Sequence, residues 1–402
     1  MESSSSRKLA GTSHGGVLPL DVLFDVLVRL PANAICRLRA VCRPWRSLTS
    51  DPAFLKAHAA RHPASLVASF RDDPDHVHII LDPSGHVVKR VPIPSYHTLL
   101  RSRLNLIGVA DDGGSGTCYV IDPATGAVIS HLPQSDRNSL RERWEPWSRW
   151  EREPDHSVFA LGRVRSEYKV LRVSCLTGFE NPDEDAQVCS VLTVHPGGGR
   201  THWRSTGSPE FIVNMSSGVV VGSTVYYFWA DIYTRNFCKD LQTDGLPKCI
   251  ASFDLRWEFW DSVEVPRLDL DDDGGDDTFD EYIDMWSRSS LAELKGCLVL
   301  AHDNRRYSSC LDLWFLTDIG NDLWVNKYSI RAPESVIPED KKFLEPLLLL
   351  DDGRIIIFLP LKGALLLYDP KTNVFSKVET KCIHKVGLYT GSLLGLQKVD
   401  SL

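Results

Sequence analysis

Asp269, Asp271, Asp273 and Gly274 are spaced like the opening of a calcium-binding loop, and Asp280 stands where such a loop places its bidentate carboxylate. Asp276 holds a position that the loop keeps apolar, Pro266 lies just upstream, and the flanks are strand-like, so a solvated acidic loop is expected. His58 and His62 are four residues apart, a spacing that can chelate a metal from one helix face. No glutamate follows His58 and no third ligand is apparent, so surface histidines are expected and no metal site. Gly197, Gly198 and Gly199 follow Pro196 without the strand-to-helix passage or the Lys-Ser/Thr pair of a phosphate-cradling loop, and they read as a hairpin.

Carboxylates that could do acid–base work recur instead of converging. A short apolar strand, a turn and a second strand repeat six times: IILDPSGHVVKRV from Ile79, YVIDPATGAVISHL from Tyr119, LTVHPGGGRTHW from Leu192, ASFDLRWEFWDSVEV from Ala251, WFLTDIGNDLWVNKYSI from Trp314 and LLYDPKTNVFSKV from Leu366. Asp82, Asp122, Asp254, Asp318 and Asp369 occupy the same place in their phrases, which is the signature of a carboxylate capping a turn. No catalytic residue and no cofactor is expected. Three long interruptions, residues 134–155, 231–248 and 267–290, carry more information. The first sets Trp144, Trp147 and Trp150 at three-residue steps with Arg149 among them. Exposed Trp and Arg on loops are the usual anchors of an interface, so these four residues are the expected target contact unless the rings pack between repeats.

The elements around these residues follow from hydrophobic period. Past Pro63 the apolar residues alternate, and each phrase is preceded by further strand-like runs such as LNLIGVA from Leu104 and HSVFALGRV from His156. About four strands per unit and six units imply a mainly β chain forming a propeller of about six blades, because each blade buries its faces only against its neighbours. The strand LYTGSLLGL from Leu388 follows the sixth phrase and is expected to close the ring against the first blade.

Ahead of the β region the period is helical. Leu20, Leu23, Phe24, Leu27 and Leu30 share one helix face that Pro31 closes, and Ile35, Leu38, Val41 and Cys42 repeat the spacing. Pro44 suits the first turn of a third helix holding Trp45 and Leu48, and Asp51 with Pro52 forms an N-cap and N1 pair opening a fourth. Four short helices in residues 18–62 cannot enclose all of these apolar side chains, so another protein is expected to cover some. The net charge is −8 overall, +4 in residues 18–62 and +1 in the first 17, which leaves −13 for the remainder. A basic module on an acidic body suggests an acidic partner for the module and argues against nucleic acid as ligand of the large part. No apolar run is long enough to span a bilayer and residues 1–17 lack the apolar stretch of a signal peptide, so no membrane association is expected. Ten cysteines without a CxxC then read as buried thiols in a reducing compartment, cytoplasmic or nuclear, and the sequon at Asn214 as unglycosylated.

The series Leu18, Pro19, Asp21, Val22, Leu23, Leu27, Arg29, Leu30, Pro31, Arg37, Arg39, Val41, Cys42, Arg43, Trp45, Arg46, Asp51, Pro52 and Phe54 resembles the F-box. YKVLRV from Tyr168, ASFDL from Ala251 and LLLYDPKTNVF from Leu365 are similar to the kelch-like F-box-associated domain of plant F-box proteins, although the double glycines and Tyr/Trp pairs of strict kelch repeats are not regular here. These resemblances imply a Ser-rich disordered tip (1–17), an F-box (18–62) and a propeller (63–402). They also imply docking onto the Skp adaptor, and through it a cullin, by Leu18, Pro19, Leu23, Leu27, Leu30, Pro31, Ile35, Leu38, Val41 and Trp45. The implied role is that of a substrate receptor in an SCF-type ubiquitin ligase, which captures a target protein with the propeller for ubiquitin-dependent degradation and has no catalysis of its own. The alternatives are an F-box scaffold that does not promote degradation, and a glycan-binding or enzymatic propeller with non-repeating polar residues at its channel mouth.

Overall fold

The computed structural model describes residues 19–30, 32–61, 65–80, 87–94, 97–111, 117–123, 125–132, 156–176, 186–195, 202–209, 212–229, 249–266, 268, 288–304, 310–331 and 344–391. They fall into two compact units, one ending at Arg61 and the other running from Ser65 to Gly391. No helix among the described residues is long and apolar enough to cross a membrane.

The first unit is four helices: α1 Leu20–Leu27, α2 Ala32–Leu38, α3 Arg43–Ser50 and α4 Pro52–Arg61. The chain leaves α1 through tight turns, with the Leu30 amide donating to the Leu27 carbonyl at 3.0 Å. Proline sits in the first turn of α3, where a missing amide hydrogen costs nothing. Asp51 Oδ1 accepts the Ala53 amide at 2.7 Å and so starts α4. Leu23, Leu27, Val28, Ile35 and Phe54 form the core, with the Phe24 ring edge-on to Phe54 at 5.1 Å.

The second unit is a ring of six antiparallel sheets. Blade 2 is His97–Leu99, Ile107–Asp111, Cys118–Asp122 and Ala127–Leu132. Blade 3 is His156–Val164, Glu167–Leu176, Ala186–Val194 and Arg204–Thr206. Blade 4 is Val219–Val221, Thr224–Tyr227, Cys249–Asp254 and Phe259–Glu264. Blade 5 is Ser289–Leu294, Cys297–Asp303, Cys310–Asp318 and Leu323–Arg331. Blade 6 is Glu345–Leu349, Ile355–Leu359, Ala364–Asp369 and Val374–Val378. The core lies between blades: Leu161, Val170 and Val120 pack blade 3 on blade 2, and Leu171, Val225 and Phe253 pack it on blade 4. Val299, Leu313, Ile355 and Ile357 join blades 5 and 6 in the same way.

The repeated phrases are the last hairpins of the blades, and their aspartates cap those turns. Asp254 Oδ1 accepts the amides of Arg256 at 2.6 Å and Trp257 at 3.0 Å. Asp318 Oδ1 accepts the Gly320 amide at 2.9 Å, and Asp369 Oδ1 the Lys371 amide at 2.9 Å. Asp122 accepts the Thr125 hydroxyl at 3.0 Å, and that hydroxyl takes the Ala127 amide at 3.2 Å. Asp82 and Gly197 to Gly199 lie outside the described residues.

Blade 1 closes the ring. Ser65–Phe70, Asp73–Ile80 and Val87–Pro92 are joined by Ile383–Tyr389, which lies antiparallel to Ser65–Phe70 with Ser65 opposite Tyr389 and Ala68 opposite Val386. The closing strand therefore starts five residues before the expected Leu388. Its polar His384 and Lys385 are exposed while Ile383, Val386 and Leu388 are buried, so the apolar run visible in the sequence marks only its end. Arg103–Leu104 pairs parallel with its other edge. Gly363, in the middle turn of blade 6, backs directly onto the start of this strand: its carbonyl accepts the Ile383 amide at 2.8 Å. Its φ is +58°, and a β-carbon there would lie 2.6 Å from the Ile383 carbonyl oxygen.

Gly363→Ala is therefore expected to destabilise the propeller by about 2–4 kcal/mol, through the left-handed backbone and the steric conflict together. Thermal unfolding followed by near-ultraviolet circular dichroism checks this, with Gly126→Ala as a reference, since Gly126 has positive φ but open space around it.

Candidate functional site

Two surfaces carry the candidate function, and the helical unit holds the first. Its interior is fastened by a polar clasp. Arg39 is buried, and it donates from Nε to Thr49 Oγ1 at 3.2 Å and from Nη2 to the Thr49 carbonyl at 2.6 Å. The Thr49 hydroxyl donates on to the Trp45 carbonyl at 2.7 Å. His58, expected on the surface, is 2% exposed; its Nε2 bonds the Leu30 carbonyl at 2.9 Å and its ring stacks on Phe54, because the carbonyls at the end of α1 need a donor. His62 lies outside the described residues.

The clasp and core leave the residues of the expected adaptor contact at different depths. Leu23, Leu27 and Ile35 point into the core and present no surface, because these are the side chains that hold α1 and α2 together. Leu30, Leu38 and Trp45 are half-buried, Pro19 and Val41 are exposed, and Leu18 and Pro31 lie outside the described residues. Leu20, Val22 and Val26, which are not among the expected contacts, are 64%, 42% and 48% exposed. Val22 and Val26 are four apart and fall off the Leu23 and Leu27 stripe, a signal that was available in the helical period. Arg29, Arg37, Arg43, Arg46, Lys56 and Arg61 are all exposed, so the basic surplus of this unit faces outward except at Arg39.

The second surface belongs to the propeller. The expected target contacts Trp144, Trp147, Arg149 and Trp150, and the acidic run from Asp269 to Asp280, lie outside the described residues. The turn Leu255–Glu258 of blade 4 is held against blade 3. Lys169 Nζ donates to the Leu255 carbonyl at 2.8 Å and to Glu258 Oε1 at 2.7 Å. Arg204 reaches the same Oε1 at 2.7 Å, and the Thr206 hydroxyl donates to the Glu258 carbonyl at 3.0 Å. Burial acts to raise the Glu258 carboxyl, but the hydrogen bonds from Lys169 and Arg204 outweigh it and hold the group below its ordinary 4.5. Across the ring, Arg103 Nη1 contacts both Glu293 oxygens at 2.8 and 2.6 Å, and Arg101 contacts Glu345 at 3.2 Å. These ion pairs tie the loop after the first strand of blade 2 to the first strands of blades 5 and 6.

Groups that could supply a nucleophile are built into the scaffold instead. Ser289 Oγ lies 3.0 Å from His302 Nδ1, and Asp312 stands opposite His302 on the next strand. Ser289 is 1% exposed and Asp312 accepts from the Ser329 hydroxyl, so one bond fastens the first two strands of blade 5 and the other the last two. Burial pushes the Cys118 thiol up and the Cys189 thiol up to about 12, the reverse of activation. Among the cysteines whose side chains are described no disulfide forms; three are buried, four half-buried and one, Cys382, exposed, which corrects the expectation of uniformly buried thiols. No group of three His, Cys, Asp or Glu among the described residues could hold a metal ion.

The comparisons with known proteins agree with this architecture. Residues 113–391 match the model of the F-box associated beta propeller domain, and residues 16–60 match that of the F-box-like domain. The chain belongs to the F-box associated beta propeller family and carries an F-box-like domain ahead of the propeller. It is 23% identical over 378 residues to the F-box/LRR-repeat protein At2g43260 of Arabidopsis thaliana, covering 91% of this chain and 79% of that one. It is 22% identical over 393 residues to F-box protein CPR1 of the same plant, covering 90% and 84%. A solved structure of a Bacteroides caccae protein of unknown function superposes on 81% of this chain and 99% of its own with a TM-score of 0.41 and 12% identity.

Because the Glu258 carboxyl is held low in the folded state, it contributes stability that is complete above its unfolded-state value and is lost as pH falls through the folded value, below 4.5. Lys169→Met is expected to cost about 1–3 kcal/mol at neutral pH, by leaving a buried carbonyl and a carboxylate short of a donor. It should also flatten the loss of stability below pH 4.5, as read from urea midpoints across pH 3–7.

Proposed function

We propose that this chain is the substrate receptor of an SCF-type ubiquitin ligase: the F-box-like helices dock the Skp adaptor, which joins a cullin, and the propeller holds a target protein. The observation that carries the reading is apolar surface on a helical unit whose core is already complete. Leu20, Val22, Val26 and Val41 are exposed although Leu23, Leu27, Ile35 and Phe54 satisfy the interior. Such a surface rimmed by charge is what a partner covers. The match of residues 16–60 to the F-box-like model supports the identity of that partner, and the outward arginines suit an acidic one.

In this reading catalysis is by proximity. The chain raises the effective concentration of a target lysine near a ubiquitin activated elsewhere, without a cofactor or a nucleophile of its own. The place of action is the cytoplasm, the nucleus or both, where such ligases and reduced thiols coexist.

Removal of residues 1–62 is expected to abolish capture of purified Skp adaptor while the propeller keeps its melting temperature. In the full chain, Val22→Asp with Val26→Asp should weaken capture at least ~10-fold, since each buries a charge at the contact. Leu27→Ala should instead destabilise the helical unit itself by about 2–5 kcal/mol. Capture that survives both the truncation and the paired aspartates sinks the reading. Cullin co-purification, and accumulation of a bound protein when the proteasome is blocked, separate a degradative receptor from a bare scaffold.

A further inference from the structure

The last hairpin of blade 4 stands apart from its counterparts. Trp257 is 65% exposed and Phe259 47%, and the Arg256 guanidinium lies over the Trp257 ring at 4.6 Å. An exposed tryptophan usually loses to burial, yet its neighbour Trp260 does turn inward, donating from Nε1 to the Gly207 carbonyl at 2.8 Å. The outward ring is held there by the backbone. Asp254 fixes the amides of Arg256 and Trp257, Glu258 adopts φ +59°, and Lys169, Arg204 and Thr206 clamp the turn to blade 3. A rigid turn that presents an aromatic ring and a guanidinium loses little entropy when it binds.

The charges nearby are unbalanced. Arg256 rests on a ring, and Arg163 Nε donates to the Arg165 carbonyl at 3.1 Å with its guanidinium 5.9 Å from the Tyr168 ring. Arg165 is exposed in the turn after the first strand of blade 3, three residues past Gly162, where a β-carbon would collide with Leu255 Cδ1 at the base of the Trp257 turn. Among the described residues none of these three arginines has a carboxylate partner. Exposed arginines without a carboxylate ion pair, one of them on the ring of an exposed tryptophan, in a region of the chain that carries net −13, complement a negatively charged ligand with an apolar residue.

We propose that the junction of blades 3 and 4 binds an acidic peptide segment of the target, its carboxylates on Arg256 and Arg165 and an apolar side chain on Trp257. This rests on the receptor reading above and names the chemistry that the receptor selects. The test is a selection of displayed random 12-residue peptides on the full chain bound to Skp adaptor, followed by fluorescence anisotropy with the enriched peptide and its Glu→Gln, Asp→Asn counterpart. Enriched peptides should be acidic with an aromatic or aliphatic residue. Binding should fall at least ~10-fold for the neutral counterpart, for Arg256→Glu and for Trp257→Ala, and should weaken with salt. Both substitutions lie on exposed side chains and should leave the melting temperature and adaptor capture unchanged, so a failure of adaptor docking registers separately. Enrichment of neutral or basic peptides, binding untouched by the two substitutions, or no enrichment over the starting library overturns the proposal.

Discussion

The propeller exists because Ile383–Tyr389 pairs with Ser65–Phe70. A blade has no core of its own; its apolar faces are finished only by the blades on either side, so an open chain of six would leave two raw faces and two unpaired edges. One strand removes both problems. Val386, Leu388 and Ile383 join Leu66, Ala68 and Phe70 with Ile356 and Phe358 of blade 6, so the same residues complete a sheet and the packing between first and last blades. The absence of a side chain at Gly363 and the ion pairs of Arg101 and Arg103 with Glu345 and Glu293 support that junction from within the ring.

Much of this was legible from local chemistry. Asp51 and Pro52 announced α4, Pro44 announced α3, and the recurrent aspartates marked the last hairpins of blades 2, 4, 5 and 6, because caps and turns depend on neighbours a few residues away. What escaped was set by distance. The start of the closing strand hides behind the exposed His384 and Lys385: Lys385 lies opposite Ser69, 316 positions earlier, and His384 falls at the shift in register beside it. In the helical unit the period identifies an apolar face but not how much of it three other helices cover, so it does not tell that Leu23, Leu27 and Ile35 are buried while Val22 and Val26 are exposed. The expected target contacts in the tryptophan-rich insertion lie outside the described residues. In the blade 4 phrase, Trp257 and Phe259 are exposed while Trp260 turns inward, and the backbone of the turn decides which ring turns out.

Polar side chains in this molecule act as fasteners. Arg39 with Thr49, Lys169 with Glu258, and Ser289 with His302 each combine groups that in a cleft could serve chemistry, and each is turned inward with its hydrogen bonds taken. Such hydrogen-bonded groups hold neighbouring elements in one fixed register, and the rigidity of the fold depends on them.

The sequence distance that closure spans also has a consequence in time. The helical unit needs only neighbouring residues and can form while the ribosome is still far from residue 383, whereas the ring cannot close until that strand has emerged. A message cut short anywhere in between would yield helices able to form beside an unfinished propeller with exposed strand edges. For a cell, such a fragment is a different hazard from a simple loss of the protein, because the part that folds early is the part proposed to dock the Skp adaptor.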